Sequence, residues 1–136
     1  MNLHFLRDRL FLKSDVFTLR ISESTINPAP RNLETNMITH IVQWRVKENA
    51  EGLSREEILE EMRRRLEALN GKIPEIITLS VGVNERPGEH ASDIVLMSTF
   101  SDWEALKTYA GHPDHQAVVG FVGKVVSERR VVDFES

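Results

Sequence analysis

From Met37 onward the chain alternates between two periods. Residues 38–46, ITHIVQWRV, put Ile38, His40, Val42, Trp44 and Val46 on one side and Thr39, Ile41, Gln43 and Arg45 on the other. That period of two predicts a β-strand. Residues 53–71 then switch to helical spacing, with Ile58, Leu59, Met62, Leu66 and Leu69 along one stripe. Ser54 and Glu57 stand at capping-box spacing, and Gly71 suits a left-handed helix stop. Acids at 56, 57, 60 and 61 precede bases at 63–65, which complements the helix dipole. Two more alternating stretches follow. In 74–84, Ile77, Leu79, Val81 and Val83 share a face; in 92–100, Ile94, Leu96, Ser98 and Phe100 do. ERPGEHA between them has hairpin-loop chemistry. Ser101 and Glu104 read as a second capping box, opening a helix that carries Trp103, Leu106 and Tyr109 and ends at Gly111. Pro113 suits the first turn of a further helical segment, with Val118, Val119 and Val122 as its buried face. KVVSERRVVDF closes the chain as a fourth strand.

The order β-α-β-β-α-β predicts an α+β, ferredoxin-like sandwich: one sheet with its helices on one side. The strands are apolar on both faces, however. Val95 and Met97 oppose Ile94 and Leu96, and Ile41 opposes Val42. A sheet covered on one side only has a more polar second face. An apolar patch left open marks an interface, so the expectation is a homodimer packed sheet against sheet.

Composition sets the outer limits. With 136 residues, 40% hydrophobic and 28% charged, the chain is of single-domain size and globular composition. A net charge of −4 argues against nucleic acid as a partner. No apolar run is long enough to span a membrane. The lack of cysteine excludes disulfides and thiolate chemistry and fits a cytoplasmic protein. Charge also divides the chain. Residues 1–36 hold five basic and four acidic residues, against twelve and seventeen in 37–136. The charges at Arg7, Asp8, Arg9, Lys13 and Asp15 break any secretory core, and STINPAPRNLETN has linker composition. The expectation is a poorly ordered extension over 1–36, with an over-extended reading frame and Met37 as the working start as a further hypothesis, followed by one domain over 37–136.

The chemistry gathers in YAGHPDHQ, residues 109–116, which holds the sole tyrosine and two of five histidines. Tyr109 ends one helix and His115 falls in the first turn of the next, so a reversal at Gly111 brings both toward one cavity. A histidine titrates near neutrality and a neutral phenol can hold a carbonyl or enolate oxygen. Tyr109 and His115 are therefore candidate catalytic groups for proton abstraction beside a carbonyl, with no cofactor. His40, on an otherwise apolar strand face, and His112 are candidate ligand-binding residues. Each has a structural alternative: His112 as a helix cap, His115 and His40 as hydrogen-bonded core histidines, Tyr109 as core. Trp44 and Trp103 read as packing residues. A metal held by His112 and His115 with Asp114 or His40 is disfavoured, because Pro113 makes convergence of the rings doubtful. Arg129 and Arg130 fit either an anchor for an acidic ligand or a solvated edge.

ITHIVQWRVK, IPEIITLSVGVN, TFSDWEALKTYAGHPDHQAVVGFV and RRVVDFE together resemble the stress-responsive dimeric α/β-barrel (Dabb) domain family over about residues 37–135. The resemblance implies two ferredoxin-like units whose sheets close into a barrel across the dimer. It implies a protein of unassigned activity, binding a small hydrophobic or keto-acid ligand. One plant branch of the family acts as a polyketide cyclase. Its tyrosine and histidine match Tyr109 as hydrogen-bond donor and His115 as general base, and its pocket histidine matches His40. The alternative function is therefore a cofactor-free lyase or cyclase.

Overall fold

The computed structural model describes residues 36–136. Apart from Asn36, the expected N-terminal extension lies outside the described residues. Strand β1 (Ile38–Val46) leads into a two-residue hairpin, β2 (Asn49–Ala50) and β3 (Leu53–Ser54). Its turn puts both Glu51 (φ 53) and Gly52 (φ 77) in the left-handed region, the geometry that matches strand twist in the tightest hairpins. Helix α1 (Arg55–Glu67), β4 (Thr78–Val83), β5 (Ile94–Phe100), α2 (Trp103–Gly111), α3 (Pro113–Val125) and β6 (Val126–Glu135) follow. The sheet order is β4-β5-β1-β6, with every pairing antiparallel. This is the ferredoxin-like order that the element sequence predicts.

Alternation makes one face of the sheet the core. Ile38, Val42, Trp44 and Val46 of β1 and Ile94, Leu96 and Phe100 of β5 are buried against Ile58, Met62 and Leu66 of α1 and Val118, Val122 and Val125 of α3. Each such side chain contributes about 1.5–3 kcal/mol. Asp93 ties the layers at one end. Its carboxylate accepts from Val46 N at 2.9 Å and from Arg55 at 2.5 Å, joining β1, β5 and the start of α1.

Several local expectations change. The Ser54–Glu57 capping box is present in both halves. Helix α2 is capped instead by Asp102, whose side chain accepts from Ala105 N at 2.8 Å, and not by Ser101. Gly71 is left-handed (φ 85) but lies beyond the Ala68 cap of α1. Ile77 precedes β4 and is exposed, so only Leu79, Val81 and Val83 carry that strand's inner face. Trp103 is exposed where packing was expected. In α3 the buried set is Val118, Val122 and Val125, with Val119 exposed, because the stripe steps by four and three from Val118.

Candidate functional site

The break between α2 and α3 builds the site. His112 is at once the C-cap of α2 and the N-cap of α3, held extended (ψ 137) as a residue before proline prefers. Its Nδ1 accepts from Asp114 N at 3.1 Å, so this ring nitrogen is spent on the cap. Pro113 takes the first helical position, where its missing N–H costs nothing. His115 then falls in the first turn of α3 and reaches back to the end of α2. Its Nδ1–H donates to the Ala110 carbonyl at 3.0 Å, and Gln116 Nε2 donates to the same oxygen at 2.6 Å. A carbonyl can only accept, so Nδ1 carries the proton and Nε2 of the neutral ring keeps a lone pair.

Tyr109 sits at the centre of an aromatic group. Its ring centroid lies 4.3 Å from His115, 4.9 Å from Phe100 and 6.0 Å from His40. The residue is 2% exposed. Burial pushes its hydroxyl up to about 12, so it is a neutral donor throughout the physiological range. The His115 ring is held below the ordinary imidazole range, first by burial and then by the charges of His40, Arg129 and His112; the Ala110 hydrogen bond opposes this. His40 comes in from β1, and its Nδ1–H donates to Asp133 Oδ1 at 2.5 Å. The register explains the contact: His40 is directly opposite Asp133 on β6, so both point to the helix side.

These groups line one cavity of about 180 Å³ between the sheet and α3. Its walls are Val42, Leu96, Val118, Val119 and Val122, with His40, Trp44, Tyr109, His115 and Arg129 as the polar members. An apolar chamber with a few converging polar groups is the usual form of a small-molecule site. A larger trough of about 860 Å³ runs between α1 and α3, but mixed charges such as Glu57, Glu61, Arg65 and Lys124 line it. Of the residues singled out in the sequence, Tyr109, His115 and His40 meet at the cavity, while His112 is absent from its lining. Asp133 was missed because its partner is ninety-three positions away. Arg129 was read as no more than one of two options. Among the described residues, no cluster of three or more His, Cys, Asp or Glu is placed to hold a metal ion. None of their helices is long and apolar enough to cross a membrane.

Comparisons with known proteins agree with this architecture. A dimeric protein of unknown function with a ferredoxin-like fold from Bacteroides fragilis is 33% identical, with a TM-score of 0.63 over 74% of this chain and 96% of that one. A dimeric ferredoxin-like protein of unknown function from Thermobifida fusca is 20% identical, with a TM-score of 0.64 over 76% and 93%. The hydroxynitrile lyase of Passiflora edulis shares the fold at 16% identity, with a TM-score of 0.63 over 74% and 93%. No curated protein matches the sequence. The family model described as Stress responsive A/B Barrel Domain matches residues 38–136. With that match over most of its length, the chain belongs to the stress-responsive A/B barrel domain family.

Proposed function

We propose that this protein is a homodimer that binds a small, mostly apolar molecule bearing a carbonyl or hydroxyl oxygen in the cavity walled by Tyr109, His115 and His40. Cytoplasmic residence belongs to the same proposal. One observation carries the reading: two polar rings from the break between α2 and α3 and a third from β1 border a single apolar chamber. Had these rings a purely structural role, they would be packed against neighbours with little space between, since protein interiors leave few voids larger than a water. The space opens to solvent past Val119 and Arg129, both exposed, so a small molecule has a way in. Such a chamber fits a site kept for a ligand better than it fits a defect.

The test is a set of thermal melts with a panel of small ketones, keto acids and phenols. A ligand at about 100 times its dissociation constant adds about 2.7 kcal/mol. For a domain of this size the midpoint then rises by well over about 4 °C. The rise is expected in the wild type and lost in His115→Gln. If no compound acts and a cavity-filling Val118→Leu change stabilises the protein, the chamber is a packing fault and the reading fails.

The tautomer of His115 favours a second, catalytic reading, a cofactor-free lyase or cyclase. His115 Nε2 takes a proton from the carbon beside a carbonyl, the C–H electron pair moves into the enolate, and the Tyr109 hydroxyl donates to the developing oxyanion. The depressed pKa of His115 keeps the base unprotonated at neutral pH. A lyase is also found on this fold in Passiflora edulis. Exchange of the α-protons of acetophenone and phenylpyruvate in D₂O, followed by NMR, separates the two readings. Exchange above the buffer rate that is absent in His115→Gln supports catalysis. Exchange at the buffer rate with intact binding leaves only the binding role.

A further inference from the structure

Arg129 is the one permanently charged side chain in the cavity lining, and among the described residues it makes no ion pair. Apart from Arg86, which lies in the β4–β5 loop away from the cavity, the other described arginines are engaged. Arg45 and Arg130 share Glu128, Arg55 binds Asp93, and Arg63, Arg64 and Arg65 pair with Glu60 and Glu61. Strand alternation separates Arg129 from them. Glu128 and Arg130 face the open side of the sheet, opposite Arg45 and Gln43, whereas Arg129 lies opposite Trp44 on the helix side. Asp133 is on that same side of β6 but is held by His40, and no carboxylate lines the cavity.

The remaining polar groups divide into two donors, Tyr109 and Trp44, and two acceptors, the Nε2 lone pairs of His115 and His40. Guanidinium and indole have no acceptor at all. Tyr109 keeps its proton. Trp44 Nε1 is buried with no acceptor among the described residues, a state that costs about 1–3 kcal/mol. With no carboxylate beside Arg129 in the lining, a ligand suited to these surroundings brings an anionic oxygen to that guanidinium. We infer that the ligand is a small carboxylate with an apolar body, its carboxylate held by the Arg129 guanidinium at the cavity mouth and its body laid along Val118, Val119 and Val122. The inference rests on the binding reading above and narrows it to a substrate class. Arg129 lies on the edge strand and is solvent-exposed, so an ionised head need not be fully desolvated to reach it. The planar fork of a guanidinium matches a carboxylate in two parallel hydrogen bonds. Arg129 is thus the residue that selects an acid over its neutral analogue.

Calorimetric titration of the full chain tests this with two matched pairs, 3-phenylpropionate against 3-phenylpropionamide and hexanoate against hexanamide. Each acid is expected to bind the wild type about tenfold to a hundredfold more tightly than its amide, the range of a charge-assisted hydrogen bond. Arg129→Leu should bring the acid down to the level of the amide without moving the amide, and Arg129→Lys should restore part of the preference. Added salt should weaken only the acids. Acids and amides binding wild type and Arg129→Leu alike would overturn the carboxylate assignment and leave the cavity reading standing. No binding by any of the four would remove both.

Discussion

Tyr109 is the sole tyrosine of the chain, so its titration can be read without interference. Burial among Phe100, His40 and His115 pushes its hydroxyl up to about 12, from the value of 10.0 that an unfolded tyrosine has. A folded pKa above the unfolded one means that the native state favours the neutral phenol. The stability this contributes, about 3 kcal/mol at most, is complete below about pH 10 and is lost as the pH rises toward 12. The ultraviolet absorbance of tyrosinate should therefore rise near pH 12, or earlier in one step with alkaline unfolding seen by circular dichroism. A midpoint at the ordinary value in a chain that is still folded would show the hydroxyl to be solvated, which would remove its role as a buried donor. At this scale the sequence was informative about Tyr109, His115 and His40, whose types and local spacing carry their chemistry. It was silent about Asp133 because strand register, which sets the partner, is not written in either strand alone. A slip of one residue would turn Asp133 and Arg129 to the open face and bring Arg130 inward.

Among the elements, the clearest disagreement between pattern and structure is the start of α2. Ser101 and Asp102 are both good N-caps, and intrinsic preference does not rank serine against aspartate. What decides is where β5 releases the chain. Phe100 is fully buried at the end of that strand, and Asp102 is the residue that takes the extended cap conformation (φ −162) with its carboxylate on Ala105 N. Asp102→Ala should cost about 1 kcal/mol in urea denaturation, whereas Ser101→Ala should stay within about 0.5 kcal/mol. Equal losses would mean that the two residues share the cap. The same dependence on context explains the other local differences. Two-residue strands such as β2 and β3 are too short to show a period, and adjacent valines 118 and 119 fit a helical stripe equally well until the sheet chooses one.

For the whole molecule, the open side of the sheet is the feature that the alternation pattern makes most visible. Ile41, Val95, Met97, Val132 and Phe134 share it, with Met97 48%, Val132 50% and Phe134 43% exposed. Met97 on β5 and Val132 and Phe134 on β6 flank β1, whose Ile41 lies opposite both Met97 and Val132, so they form a continuous patch rather than scattered surface residues, and such a patch is costly in a free monomer. The Bacteroides fragilis relative, 33% identical, is dimeric. Closing two such faces against each other leaves the cavity on the opposite side of each sheet, so assembly and ligand binding are separable. Val132→Lys places a charge in the middle of this face and removes no core contact, since the core packs against the other side. Sedimentation should find a wild-type dimer whose melting temperature rises with protein concentration, as dissociation coupled to unfolding requires. Val132→Lys should instead sediment as a folded monomer, with a melting temperature independent of concentration and with its calorimetric ligand binding unchanged. A wild type that remains monomeric at micromolar concentration would leave the apolar face without a partner copy and end the dimer reading. A dimer that persists in Val132→Lys would move the interface to another surface.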